Sequence, residues 1–330
     1  MLGPLLFLIF YNDFPDVRQD GESVLYADDD TDNVSDKNPE SLQSKIQNEA
    51  NISTAWVKDN GMVCSGAKTK LMIVGTKELC QVKLVNDNVA IEIVVDGCRV
   101  TESSSERLLG MIMNNNLTWE SHLYGNKDTK GLINKLSYRV SLIQKLSRVM
   151  PKSRLKMMAE GIFFSILNYG IEIYGNVWGM FTFDEQNRNS TAFTREDNRK
   201  LQILVNKVLR CLTGSDSDTS TIELHKRSNQ MSVQQRCAYF SIIAVHKTLQ
   251  RKEPAYHFSK FSFPQKKYGT RNRETQQVDY RLSLSRCSFF YRGSRLYSHL
   301  PVEIRMSEKL VHFKKQLKQW VQNNVPVVPP

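Results

Sequence analysis

Apolar and polar positions along the chain change their period several times, and each change marks an element. Residues 2–11 are apolar almost without interruption, Leu-Gly-Pro-Leu-Leu-Phe-Leu-Ile-Phe-Tyr. Pro4 suits the first turn of a helix, and a helix that is apolar on all sides predicts burial all round. Such a helix needs neighbours, so the pattern reads as a chain that begins inside a domain. Asn12-Asp13-Phe14-Pro15 ends the helix. Val24-Leu25-Tyr26-Ala27 then has strand character and runs into Asp28-Asp29, with Asp30–Ser35 as a polar return strand. From Leu42 the spacing turns helical through Ile46, Ala50, Trp56 and Val57. Lys45, Glu49 and Lys58 fall on the side predicted to face water, and Gly61 can stop the helix.

Cys64–Lys70 reads as a loop into a strand at Leu71–Val74. Residues 83–101 read as strands with turns at Asn86-Asp87-Asn88 and Asp96-Gly97, the second a strong hairpin signal. Leu108–Met113 reads as one more strand. After residue 117 the period is helical. Leu132, Leu136, Val140 and Ile143 make one stripe, and Pro151 opens a helix running to about Tyr169. A polar loop is predicted over 181–199. Leu201, Leu204, Val205, Val208, Leu209 and Leu212 line an amphipathic helix, and 232–250 form another. Residues 264–286 are basic and irregular, with Lys266, Lys267, Arg271, Arg273, Arg281 and Arg286. Phe313, Leu317, Trp320 and Val321 predict a final short helix.

Charge sharpens this outline. The 330 residues carry a net charge of +11, unevenly placed. Residues 1–40 hold ten acidic and two basic side chains, against 24 acidic and 43 basic in the rest. An acidic patch followed by a long basic body fits a metal site beside a nucleic-acid surface. The six cysteines (64, 80, 98, 211, 237, 287) include no C-x-x-C pair, which argues against a zinc site or dense disulfides and for a reducing compartment. The apolar opening run is about half the ~20 residues a membrane span needs and lacks the flanks of a signal peptide. The expected location is therefore intracellular, in nucleus or cytoplasm, with no membrane partner.

The candidate chemistry sits on Asp28 and Asp29. Two adjacent carboxylates at a strand tip repel each other, and a divalent cation relieves that. Hard oxygen ligands suit Mg²⁺ or Mn²⁺, the ions of nucleotidyl transfer; a polar turn is the plain alternative. A calcium loop fails, because its sixth position holds Asn33 in place of Gly and its twelfth Pro39 in place of Glu.

Several blocks together resemble non-LTR (LINE-type) retrotransposon reverse transcriptases. They are Leu2-Gly3-Pro4-Leu5-Leu6-Phe7 through Asn12-Asp13-Phe14-Pro15; Tyr26-Ala27-Asp28-Asp29; Trp56 with the Lys68-Thr69 loop; Leu108-Leu109-Gly110 with Leu117-Thr118-Trp119 and His122; and Leu300-Pro301-Val302-Glu303-Ile304-Arg305 with Phe313-Lys314. The resemblance covers nearly the whole chain and implies an α+β fold. A partial polymerase palm, a small antiparallel sheet with helices, would occupy 1–115. A helical thumb would follow at 116–180 and a basic, mainly helical extension at 181–330.

It implies RNA-templated DNA synthesis in the parent enzyme, with an RNA template, a DNA primer, dNTP and two Mg²⁺ (or Mn²⁺) ions. Asp28 would be a direct metal ligand and Asp29 the weaker second one. Lys68 would stand near the triphosphate, Tyr26 would face the primer end, and Leu109-Gly110 would form the primer grip. Trp56 and Trp119 read as core packing. The chain departs from the family pattern where Asp30 replaces Thr and Ser65 replaces Asn, and the fingers and first catalytic aspartate lie outside its blocks. The resemblance thus implies an isolated chain without polymerase activity, and one made aggregation-prone by the exposed underside of its first helix and by an unpaired sheet edge. The alternative is a non-catalytic nucleic-acid binder using the basic C-terminal region.

Overall fold

A computed structural model describes residues 2–75, 91–126, 129–175, 194–259, 261 and 289–327. The fold is α+β, in two compact units: among the described residues Met1–Leu117 contains three short antiparallel hairpins, and Thr118–Pro330 contains helices. The expected strands over 83–90, the polar loop over 181–193 and the basic stretch over 264–286 lie outside the described residues.

In the first unit, helix α1 (Gly3–Phe10) forms at the apolar run. It is not buried on all sides as its all-round apolarity alone would suggest: Leu5, Leu6, Leu8 and Ile9 are each more than half exposed, the exposed apolar face expected of this helix in the isolated chain. Only its C-terminal end is engaged. Phe7 stacks on Tyr11 and Phe10 meets Trp56, at the edge of an aromatic knot in which Phe14 lies 4.9 Å and Tyr11 5.4 Å from the Trp56 ring.

Strands β1 (Gly21–Tyr26) and β2 (Asp29–Val34) pair in register from Gly21↔Val34 to Tyr26↔Asp29. Helix α2 (Pro39–Asp59) is capped by Asn38, whose side chain accepts from the Glu40 and Ser41 amides. It ends where Gly61 turns the chain at φ 72°. Leu42, Ile46 and Ala50 of α2 pack over a small core of Leu71, Ile91, Ile93, Val95 and Val100. Glu49, expected at the water side of α2, is buried, because it accepts from the Gln19 and Asp20 amides at 2.9 and 2.5 Å.

Strands β3 (Glu92–Val95) and β4 (Cys98–Thr101) make the hairpin expected at Asp96-Gly97, both residues at positive φ. One edge of β3 is met by side chains instead of a strand. Gln43 exchanges two hydrogen bonds with the backbone of Glu92, at 2.6 and 2.9 Å, and Gln47 does the same with Val94, at 3.0 and 2.8 Å. Four helical residues advance about 6 Å and two strand residues about 6.6 Å, so glutamines one turn apart match alternate strand positions.

Two strand expectations are corrected. Leu71–Val74 makes only a single bridge, Leu71↔Glu102, since regular pairing does not continue past Leu71. Leu108–Met113 is not one strand but the bend of a third hairpin, β5 (Ser105–Leu108) and β6 (Met111–Asn114). Leu109 and Gly110 take φ 46° and 86°, the two positive values that match a two-residue turn to the twist of its strands. The three hairpins are separate two-stranded sheets rather than one.

The second unit contains α3 (Glu120–Tyr124), α4 (Leu132–Leu146), α5 (Lys152–Ala159), a π turn at Glu160–Phe164, α6 (Ser165–Asn168) and α7 (Ile171–Tyr174). After these come α8 (Arg195–Thr213), α9 (Thr221–Ser228), α10 (Val233–Arg251), α11 (Ala255–Phe258), α12 (Phe289–Ser298), α13 (Val302–Arg305) and α14 (Leu310–Asn324). The stripes read from the sequence on α4, α8 and α14 are buried, apart from the half-buried Trp320, and share one hydrophobic cluster with α10. Helix α8 starts earlier than expected, at Arg195, because Thr194 and Asp197 form a reciprocal capping box. A second such box, Ser232 with Gln235, opens α10. Among the described residues no helix is long and apolar enough to cross a membrane.

Candidate functional site: the acidic hairpin tip

The β1–β2 hairpin is a poor one by composition, and its stability comes from below. Pleat alternation puts Ser23, Leu25, Asp30 and Asp32 on one face and Val24, Tyr26, Asp29 and Thr31 on the other. Arg18, whose side chain is only 3% exposed, lies against the first face. Its Nη2 meets Asp30 Oδ2 at 2.7 Å and Asp32 Oδ2 at 2.8 Å, and its Nη1 stands 3.6 Å from Glu49. Nη1 also donates to Ser53 Oγ and, at 3.2 Å, to the Glu49 carbonyl. The guanidinium carbon lies 4.5 Å from the Phe14 ring centre.

One cation thus serves three carboxylates, and it does not win outright. Burial, with the neighbouring Asp32 charge, raises Asp30 to about 6 although Arg18 pulls it down. Burial also raises Asp32, against a hydrogen bond from Ser23 and the pull of Arg18.

The other end of the hairpin carries the sequence candidates. The turn has two residues, Ala27 and Asp28, and Ala27 is held at φ 56°. A side chain there costs about 1 kcal/mol, and such strain concentrates at functional sites. Tyr26 and Asp29 are directly opposite each other, so they share the outer face. Tyr26, Asp28 and Asp29 are all exposed, Tyr26 by 65%. The hairpin therefore brings three of the predicted residues to one tip.

The others lie elsewhere in the first unit. Lys68 is exposed in a turn in which Ser65 O accepts from the Lys68 and Thr69 amides, each at 3.0 Å. That turn is seated by Gly66, where a Cβ would fall 2.5 Å from both Cys98 Cβ and the Val95 carbonyl. Leu109 and Gly110 form the β5–β6 tip, with Leu109 43% exposed. None of the ion pairs among the described residues involves Asp28, Asp29 or Lys68.

Mg²⁺ is commonly held by one or two carboxylates, with water and substrate phosphates completing its shell. Asp28 and Asp29, adjacent and open to solvent, suit a single ion held that way. A two-ion centre held by three carboxylates is not met: among the described residues no three His, Cys, Asp or Glu side chains converge as a metal cluster. No family model, no curated protein and no solved structure matches the chain.

Sequence reasoning missed Arg18, although one signal was available. It is the only arginine among the first 40 residues, set among ten acids. It also missed the polar interior of the second unit. Gln202 there donates to Asn206 at 2.8 Å and pairs with His225 Nε2 at 2.9 Å, while its carbonyl accepts from the Val233 amide at 3.0 Å. His225 Nδ1 lies 2.8 Å from the Gln230 carbonyl, so Nδ1 carries the proton and Nε2 accepts from Gln202. Burial lowers the His225 pKa, which keeps the ring neutral. Arg236 is buried beside this network, bonded to Asn168 and Gln230 and stacked 4.0 Å from the Phe164 centre. Burial pushes it down to about 10.

A run of exposed basic side chains lies on α4, α5 and the turn between them. Residues 129–159 contain eight Lys or Arg and no Asp or Glu. Lys135, Lys145, Arg148, Lys152, Arg154 and Lys156 are exposed there, and Tyr138 is 69% exposed beside Arg139.

Proposed function

We propose that the chain is the palm–thumb part of a non-LTR retrotransposon reverse transcriptase, with the β1–β2 tip as its ion-holding element and with no polymerase activity of its own. The observation that carries this reading is the tip itself. A strained two-residue turn presents Asp28 and Asp29 to solvent beside Tyr26, while the acids behind them are held by Arg18. Positive φ at Ala27 is usual for a two-residue hairpin turn, but an ordinary polar turn does not need a buried arginine beneath it. In this reading the first unit is the partial palm and α4–α7 belong to the thumb. Asp28 and Asp29 are the ligands of Mg²⁺ or Mn²⁺, Lys68 stands near the triphosphate, and Leu109-Gly110 contacts the primer. The reading of inactivity rests on the resemblance to a family whose fingers and first catalytic aspartate lie outside the blocks of this chain.

Primer extension by purified 1–330 on an RNA template with Mg²⁺ tests the reading. The expected result is no incorporation above an Asp28→Ala/Asp29→Ala control. Incorporation that the control abolishes would overturn the claim of an incomplete site.

A second reading is favoured by the acid-free helical pair: a non-catalytic nucleic-acid binder. The sequence reading placed that surface in the basic C-terminal region, whereas the acid-free surface lies at 129–159. Phosphate contacts by its lysines and arginines would give salt-sensitive binding with little sequence preference. Binding of a labelled RNA–DNA hybrid is expected to weaken steeply with salt, and more so in a Lys145→Glu/Arg148→Glu/Lys156→Glu variant. No binding at low salt would remove this reading.

A further inference from the structure

The second unit contains a cleft of about 380 Å³ between α7, α10 and α14, lined by Glu172, Tyr239, Phe240, Ile243, Lys247 and Lys314. Its polar groups are left unmatched among the described residues. Glu172 Oε2 is shielded from water and has no hydrogen-bond partner among them. Lys247 and Lys314 take part in none of the ion pairs among the described residues. A gap left by imperfect packing would be apolar. This one holds a carboxylate lacking a donor and two ammonium groups lacking an anion, around an aromatic and aliphatic wall.

We propose that the cleft binds one nucleotide unit, with its base against Tyr239 and Phe240 and its phosphate on Lys247 and Lys314. The three needs of the cleft select that class. The lysines call for an anion, Glu172 for an N–H donor, and the rings for a flat apolar body. A free aliphatic amino acid supplies the first two but not the third, and an aromatic one offers two lysines only a singly charged carboxylate where a phosphate offers more charge. The volume also lies at the small end of ligand pockets, roughly 300–1,000 Å³. Glu172 sets the base preference. A carboxylate accepts from the exocyclic amino group of adenine or cytosine and repels the O4 of uracil. The site lies wholly within the second unit and does not rest on the ion-holding tip of the first.

Calorimetric titration of the full chain with adenosine and uridine 5′-monophosphate, and with oligo(A) and oligo(U), tests the proposal. Adenine is expected to bind roughly tenfold more tightly than uracil, the size of one good polar base contact. Glu172→Gln should remove most of that gap, because its amide donates to O4 as readily as its carbonyl accepts. Lys247→Ala/Lys314→Ala should weaken either ligand at least tenfold with an unchanged melting temperature, since Lys247 is exposed and Lys314 half-buried. Monophosphate binding with these signatures assigns a free nucleotide, and the same signatures only in the oligomers assign a base within a strand. No base preference, a preference that Glu172→Gln leaves intact, or equal binding of ribose 5-phosphate would overturn the proposal. Asp28→Ala/Asp29→Ala should change none of these affinities, which separates this site from the hairpin tip.

Discussion

Arg18 reaches Asp30 at 2.7 Å from beneath the β1–β2 hairpin, and the same nitrogen reaches Asp32 at 2.8 Å. Without it the two acids on one strand face would lose the cation that offsets their repulsion. Removing one partner of a buried charge set costs about 3–5 kcal/mol, because the remaining charges stay buried and unmatched. Arg18→Ala should therefore unfold the hairpin and loosen its hold on α2, where Glu49 also depends on Arg18. Amide exchange reads this directly: protection over Gly21–Val34 should fall while that over α8 and α10 is unchanged. Unchanged hairpin protection would contradict the assignment.

A pH dependence follows from the same cluster. Asp30 is raised to about 6 by burial and by Asp32, whereas an unfolded aspartate titrates near 3.9. The folded chain therefore keeps a proton that the unfolded chain gives up over that interval. Stability contributed by Asp30 is largest at the acid end and falls as pH rises from about 4 to above 6. Asp30→Asn retains an acceptor for Arg18 and removes the titration. The variant should lose less stability than the parent between pH 4.5 and 8, with some fall left because Asp32 shifts the same way. Denaturant midpoints at the two pH values check this, and equal losses in both proteins would refute it.

Much of the helical framework was legible because apolar spacing alone fixes which helix face is buried. Leu132, Leu136, Val140 and Ile143 on α4, and the six aliphatics of α8, needed no tertiary information. The hairpin at Asp96-Gly97 was legible for a similar local reason. What escaped depended on partners distant in sequence. Glu49 looks like a solvent residue until the amides of Gln19 and Asp20 arrive. Leu109-Gly110 looks like strand interior until two positive φ values appear. The exposed face of apolar helix α1 was legible, since nothing in the sequence supplies it neighbours beyond the aromatic residues at its end. At the candidate site the acidic pair was visible and the arginine beneath it was not, since ion pairing leaves no periodic trace.

The edge of β3 supplies a further test. Gln43 and Gln47 satisfy the backbone of Glu92 and Val94, so side chains cap this edge where a strand would otherwise pair. Gln43→Ala/Gln47→Ala removes four hydrogen bonds and should cost about 2–4 kcal/mol at roughly 1 kcal/mol or less each. It should also raise the concentration-dependent association measured by light scattering. A variant as monodisperse and as stable as the parent would show that the glutamines do not protect the edge.

The interior of the second unit makes an opposite kind of demand. Gln202→Leu keeps the volume but leaves the Val233 amide, Asn206 and His225 each short of a partner. A loss of about 2–4 kcal/mol is expected, since leaving buried polar groups unmatched costs more than the bonds contribute. Chemical denaturation followed by far-ultraviolet circular dichroism measures it. A loss under about 0.5 kcal/mol, the range of ordinary surface changes, would mean the network is dispensable.

The central claim is that the strained tip of β1–β2 holds a divalent ion. Electron paramagnetic resonance of Mn²⁺ titrated into 1–330 with dNTP present, whose phosphates complete the ion shell, tests it most directly. One Mn²⁺ per chain should bind, be lost in Asp28→Asn/Asp29→Asn, and persist in Asp36→Asn, whose carboxylate lies off the tip. No bound ion, or the same binding in the double variant, would contradict the account.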